Sequence, residues 1–282
     1  MLPFIHIGGF AISTWRVVVI DGLVLCWILF LIRARNRGYP RSAVFLWLLL
    51  GLPAGAAGGH IFNRLIPALA GVNSASYALS GLTVIGSIVA CLAFSYFYIT
   101  YVMKVPWTPL LDAVAFTFPL SIFIGRIGCL FAGCCYGKAA PASVKTSLLS
   151  VLTLPVGLYA ESSSAGHDFL GVPRDSLVWD LPLFLMINTA IALIAAETLY
   201  RKRDQWRLYP GTVFSATGAL YAGGRFFIEF LRKEEGAGAV LFNPWQVAVA
   251  VLFIVFAVWL GACLYRRSRS LTHPESLQEV HP

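Results

Sequence analysis

Gly125-Arg126-Ile127-Gly128-Cys129-Leu130-Phe131-Ala132-Gly133-Cys134-Cys135-Tyr136-Gly137 closes an apolar run with one arginine, four glycines and three cysteines. An arginine in hydrocarbon costs roughly 2.5–3.5 kcal/mol on insertion scales, so such a residue turns toward a polar cavity or a partner. Arg126 therefore marks a site. Closely spaced glycines weaken a helix, but they allow close backbone approach and leave amides able to face an anion. The stretch reads as an anion pocket at the end of a membrane helix.

The rest of the chain supplies the membrane. Of 282 residues, 58% are hydrophobic and only 12% charged, where a soluble domain carries about a quarter charged. That length accommodates about seven spans of roughly 20 residues each with their loops, and leaves no stretch for a separate soluble domain. A single transmembrane domain over 1–282 is expected. The formal charge of +8 comes from basic residues at the ends of apolar runs, where they act as topology signals and contacts for anionic lipids. Membrane lipids, and not nucleic acid, are the expected partners. The six cysteines lie in or beside apolar segments and suggest no disulfide framework. The first run lacks a basic leader and a small-residue cleavage site, so it is expected to be retained.

Apolar runs fall at about 17–32, 43–62, 79–103, 109–131, 181–200, 209–231 and 244–264. Arg33, Arg35, Arg37 and Arg41 follow the first, Arg201, Lys202, Arg203 and Arg207 the fifth, and Arg266, Arg267 and Arg269 the seventh. The positive-inside bias then predicts an all-α protein of about seven transmembrane helices, N-terminus outside and C-terminus cytoplasmic. With that orientation, twelve basic residues fall in inside loops and six in outside loops. The long connection at about 138–180 becomes external, in the position of a lid or substrate platform. No internal repeat is evident, which weighs against an inverted-repeat transporter.

A second constellation lies on the sixth run. Tyr221, Arg225, Glu229 and Arg232 are spaced four, four and three apart and so share one helical face. At 1.5 Å per residue, Arg225 lies roughly 24 Å from the inner end of that helix, at about the depth of Arg126 in the outer half of the bilayer. Guanidinium forks match phosphate oxygens bidentately, so the pair suits a phospholipid head group. The competing reading makes Arg225 a structural partner of Glu229 and lets Arg126 reach the interface.

Taken together, these residues resemble the prolipoprotein diacylglyceryl transferases of bacterial inner membranes. The family signature G-R-x-G-N-F-x-N-G-E-x-x-G is matched in register by Gly125, Arg126, Gly128, Gly133 and Gly137. Asp112 and Pro119 upstream fit as well, Tyr221 to Arg225 is similar to a Tyr-to-Arg motif of the family, and Trp245-Gln246 is similar to its Gly-Gln. Cys129, Ala132 and Cys134 stand where the family has two asparagines and a glutamate. Where the family has a His-Gly-Gly run, this chain reads Val84-Ile85-Gly86-Ser87. His60 stands at a family arginine on the second helix and is the imidazole candidate for acid–base work.

The resemblance implies a multi-pass inner-membrane enzyme that moves the diacylglyceryl group of phosphatidylglycerol onto the lipobox cysteine of a prolipoprotein signal peptide, without a cofactor. Arg126, Arg225, Tyr221 and His60 are the implied catalytic set, and Gly125, Gly128, Gly133, Gly137, Glu229 and Arg232 the implied phospholipid-binding set. Alternatives are a related phospholipid-dependent transferase with another acceptor, or a non-catalytic lipid-binding or transport protein. The attacking thiol in this chemistry belongs to the substrate, so Cys129, Cys134 and Cys135 are expected as small apolar fillers, with a neighbouring-arginine-activated thiolate as the rival reading. Their spacing lacks a paired C-x-x-C, and no metal is expected. Asp21 is expected to look into the cavity, with no role assigned.

Overall fold

A backbone crossing hydrocarbon must satisfy its own hydrogen bonds, so arginine-bounded apolar runs fold as helices. The computed structural model describes residues 4–7, 10–69, 83–159, 173–232 and 244–272. Eight α-helices are found among the described residues: α1 (Thr14–Arg35), α2 (Arg41–Leu69), α3 (Val84–Phe97), α4 (Trp107–Val114), α5 (Thr117–Ala132), α6 (Leu181–Lys202), α7 (Thr212–Glu229) and α8 (Pro244–Thr272). A π-helical segment, Tyr98–Met103, continues α3 and ends at Lys104 in the left-handed conformation (φ 54°).

Six segments are long and apolar enough to cross a membrane, with α4 and α5 together forming one of them, Trp107–Ala132. The chain is a multi-pass membrane protein. Large apolar side chains such as Ile20, Ile194 and Val258 stand exposed on these helices, as lipid-facing positions require. The sixth helix expected from the sequence, α7, forms but is not among the six. Thr212, Ser215, Thr217, Arg225 and Glu229 dilute its apolar character within 18 residues.

The all-α expectation is corrected in two places. Phe4–Ile7 (β1) pairs antiparallel with Phe10–Ser13 (β2), and Thr153–Pro155 (β3) with Leu177–Trp179 (β4). Residues 160–172, the middle of the connection at 138–180, lie outside the described residues.

The chain divides into two compact units, interleaved in sequence: Met1–Ile28, Thr117–Leu193 and Gly224–Leu241 form the first; Leu29–Phe116, Ile194–Gly223 and Phe242–Pro282 the second. In the second unit α2 and α3 approach closely at two glycines. A Cβ on Gly58 would lie 2.6 Å from the Gly86 carbonyl oxygen, so neither helix tolerates a larger residue there. Asp112 on α4 accepts from the backbone N–H groups of Gly211 (2.7 Å) and Phe214 (2.8 Å), capping the start of α7. A carboxylate there satisfies orphan amides and complements the helix dipole. Near the basic ends, Glu197 holds Arg33 (2.8 Å) and Arg201 (2.7 Å), and the Arg33 guanidinium lies 4.1 Å from the Phe116 ring centroid.

In the first unit α1 packs on α5. Gly128 presents its bare face to Trp15 and Val18, whose nearest atoms would be 3.3 Å from an added Cβ. Around β3 and β4, Val156, Tyr159 and Val178 form a small buried core with Tyr136 and Leu154 against it. The 138–180 connection is thus a folded platform where it is described. Lys145 and Asp175 bridge it on the surface at 3.0 Å, a pairing in water worth little to stability.

Candidate functional site

Two stretches about a hundred residues apart meet in the first unit. Past the end of α5, Gly137 pairs antiparallel with Arg232, and the Lys138 N–H donates to the Leu231 carbonyl at 2.9 Å. On the other edge the Gly137 N–H donates to the Trp179 carbonyl (2.8 Å), and Ala139 pairs with Val178. Residues 137–139 therefore lie between β4 and the C-terminal end of α7. Gly137 is required for this close approach, because a Cβ would stand 2.6 Å from the Leu231 carbonyl oxygen and 2.8 Å from Trp179 Cβ.

This pairing draws the charged face of α7 toward the glycine-rich stretch. Glu229 is 2% exposed and sits between two guanidiniums, Arg225 at 2.6 Å and Arg232 at 3.0 Å. The Arg225 side chain is 13% exposed and that of Arg232 40%. Burial alone lowers the Arg232 pKa, but the charge of Glu229 and then that of Cys135 more than reverse it, while Arg126 opposes them. Arg126 is accordingly a near neighbour of Arg232 in the electrostatic sense. Sequence reasoning matched Arg126 with Arg225; in the structure Arg225 and Arg232 share one buried carboxylate, and Arg126 acts on Arg232.

Arg126, half-buried on α5, donates from Nη1 to Cys129 Sγ at 3.8 Å. The chain then reverses: Gly133 (φ 65°) and Cys135 (φ 61°) both occupy the left-handed region. For a non-glycine residue this costs roughly 1–2 kcal/mol, so Cys135 is held there by its surroundings. The reversal puts the Cys134 thiol against the Cys129 carbonyl (3.7 Å) and gathers the Sγ atoms of Cys129, Cys134 and Cys135 within 4.8 Å of one another. The neighbouring thiols of Cys129 and Cys134 push the Cys135 thiol well below its ordinary value; burial works against this, and Arg126 and Arg232 add to it. Cys134 is driven the opposite way, chiefly by its hydrogen bonds to the other two sulfurs. Three interacting sulfurs thus lie beside two guanidiniums.

The anion-pocket reading changes in detail as well. The Gly137 amide is occupied by Trp179 and the Gly133 amide faces the Leu130 carbonyl (3.4 Å), while Gly128 packs on α1 and Gly125 stands near Val19. These glycines set the turn and the helix packing. Gly224 borders Asn188 of α6, whose amide group fills the space a Cβ would need. The sequence reading passed over Asn188, although a polar residue inside an apolar helix is a signal in its own right. Tyr221 is buried one turn before Arg225, and His60 is exposed on α2; both belong to the second unit. Asp21, expected to face inward, is exposed on α1.

Comparison with known proteins then decides the family. The family model described as prolipoprotein diacylglyceryl transferase matches residues 3–265. The chain belongs to the prolipoprotein diacylglyceryl transferase family. Among similar proteins, the phosphatidylglycerol–prolipoprotein diacylglyceryl transferase of Clostridium tetani is 24% identical over 260 residues, covering 89% of this chain and 93% of its own length. A second such transferase, from Clostridium perfringens, is 26% identical over 269 residues, covering 92% and 91%. That of Symbiobacterium thermophilum is 25% identical over 276 residues, covering 94% of each.

Proposed function

We propose that this protein transfers the diacylglyceryl group of phosphatidylglycerol to the lipobox cysteine thiol of prolipoproteins. The observation that carries the reading is the meeting of the Arg126 stretch with the Arg225–Glu229–Arg232 cluster through the Gly137–Arg232 pairing. The names of the transferases it resembles supply the donor and the acceptor class. In this scheme the acceptor sulfur attacks the glycerol carbon that bears the phosphate, and glycerol phosphate departs. Charge grows on the leaving phosphate ester, so preorganised guanidiniums at that point lower the barrier. Arg126, Arg225 and Arg232 surround the phosphate, Glu229 fixes the forks of two of them, and Tyr221 is kept from the resemblance as a catalytic candidate of the second unit. His60 is the imidazole candidate of the second unit.

We assign the chain to the bacterial inner membrane, with α7 as a seventh crossing, the N-terminus and the 138–180 platform outside, and the C-terminus in the cytoplasm. The support is the basic residues clustered at the C-terminal ends of α1, α6 and α8. Purified protein in liposomes of labelled phosphatidylglycerol, given a lipobox peptide, tests the activity. Label should move to the peptide and not to the same peptide with its cysteine changed to serine. Equal labelling of both peptides points to the related transferase with another acceptor, and stoichiometric lipid binding with no turnover points to a binding protein.

A further inference from the structure

The thiol triad has the geometry of a metal site with one position open. Ligands about 2.3 Å from a common zinc ion stand ~3.8 Å apart in a tetrahedron and ~4.0 Å apart in a trigonal plane. The three sulfurs lie within 4.8 Å of one another, so they close on an ion by shifts of a fraction of an ångström each. The arrangement is built by the backbone: the left-handed turns at Gly133 and Cys135 fold the end of α5 back so that residues 129, 134 and 135 converge. Sulfur is the only ligand type in the triad, which selects a borderline or soft ion such as Zn2+ over Mg2+ or Ca2+. Three thiolates and one Zn2+ leave a single negative charge, and the Arg126 guanidinium already donates to Cys129 Sγ at 3.8 Å. Zinc is normally four-coordinate, and three protein ligands leave the fourth place for an exchangeable group.

We propose that Cys129, Cys134 and Cys135 bind Zn2+ and that its open position takes the acceptor thiol; the second half rests on the transferase reading above. Binding of the acceptor S–H to the ion releases its proton to water, since a coordinating thiol is deprotonated outright. The bound sulfur then forms the C–S bond to glycerol as the C–O bond to phosphate breaks, and the oxygen leaves with the electron pair as glycerol phosphate. Nothing is oxidised or reduced. The ion thereby supplies thiol activation beside the guanidiniums that receive the leaving group.

The test is Co2+ titration of the purified, chelator-stripped protein in detergent, under reducing conditions. One Co2+ per chain should bind, giving thiolate-to-cobalt charge-transfer absorption and tetrahedral ligand-field bands, and Zn2+ should displace it. Cys129→Ser, Cys134→Ser and Cys135→Gly should each lose these bands, whereas Cys263→Ser keeps them. Cys135→Gly separates ligand loss from misfolding, because glycine accepts the left-handed backbone at this position. A lipobox peptide should shift the ligand-field bands, and its cysteine-to-serine form should not. Absence of Co2+ binding, or bands that survive Cys134→Ser and Cys135→Gly, overturns the site. Transfer should be at least about tenfold faster with Zn2+ than after stripping. If stripped protein and the cysteine variants transfer at the wild-type rate, the zinc role falls and the transferase reading stands. If the triad binds metal but no form of the protein transfers to a thiol, the transferase reading falls and the metal site stands.

Discussion

Replacing Glu229 with glutamine probes the arginine cluster without changing its shape. The carboxylate is 2% exposed and holds Arg225 at 2.6 Å and Arg232 at 3.0 Å. The Arg232 arm is 40% exposed, so water screens it and its loss costs no more than about 1 kcal/mol. The Arg225 arm is 13% exposed, and a charge-assisted contact in such surroundings is worth about 1.5–3 kcal/mol. Glutamine retains one carbonyl acceptor and recovers part of this, leaving a loss of about 2–3 kcal/mol. If the guanidiniums must be aimed for the phosphate to leave, that loss appears in the barrier as a slowing of about 30- to 160-fold. Initial transfer rates from labelled phosphatidylglycerol to a lipobox peptide, at matched protein per vesicle, measure it. Arg126→Lys, which keeps the charge and loses the fork, should slow transfer by about 10- to 100-fold in the same assay. A Glu229→Gln rate within threefold of wild type would show that the carboxylate does not position the arginines and would refute the reasoning.

Gly137→Ala should lower the thermal midpoint in detergent and cut transfer at least tenfold, because its Cβ would meet the Leu231 carbonyl oxygen at 2.6 Å; an unchanged midpoint removes the docking of 137–139 from the account. Asp112→Ala leaves the Gly211 and Phe214 N–H groups without their acceptor and should destabilise by about 1–2 kcal/mol, read as a lower midpoint, with Asp112→Asn less affected. Asp180, whose carboxylate accepts from the Leu183 N–H at 3.2 Å, has its pKa raised by burial, partly offset by that hydrogen bond. A raised folded-state value makes its contribution favourable in acid and lost as pH rises through that value, so Asp180→Asn should melt no lower than wild type at pH 7 while Asp180→Ala melts lower. Leu148 is 94% exposed in the platform, so Leu148→Cys should react with an impermeant maleimide in intact spheroplasts above the wild-type background; reaction only after lysis would reverse the topology.

The α7 site was legible because helical spacing is a local rule: residues 225 and 229 fall on one face and pair, and Arg232, in the turn just past the helix end, still reaches Glu229. The same rule separated the rivals poorly, since pairing with Glu229 and binding a phosphate both use that face. The membrane helices were legible from long apolar runs ended by arginines, and the mixed composition of α7 explains why it satisfies the pattern less well than the other six segments. The hairpin of β3 and β4 was not legible, because three-residue strands carry no periodicity and are joined across more than twenty residues. The thiol triad was hidden for a different reason. Residues 129 and 134 do not share a face on a continued helix, and only the left-handed turns at Gly133 and Cys135 bring the sulfurs together. Of these two turns Gly133 gave a hint in the sequence; a cysteine with φ 61° gave none.

The most direct measurement follows two labels through one reaction, with phosphatidylglycerol carrying tritium in its head-group glycerol and carbon-14 in its acyl chains. Purified protein and a lipobox peptide should place carbon-14 on the peptide sulfur and release tritium as glycerol phosphate in equal amounts. Carbon-14 on the peptide with tritium released as free glycerol, the phosphate being retained on the peptide, would mean transfer of the phosphatidyl group, and carbon-14 released as free diacylglycerol would mean hydrolysis. Either result would contradict a transferase in which the arginine cluster receives a departing glycerol phosphate.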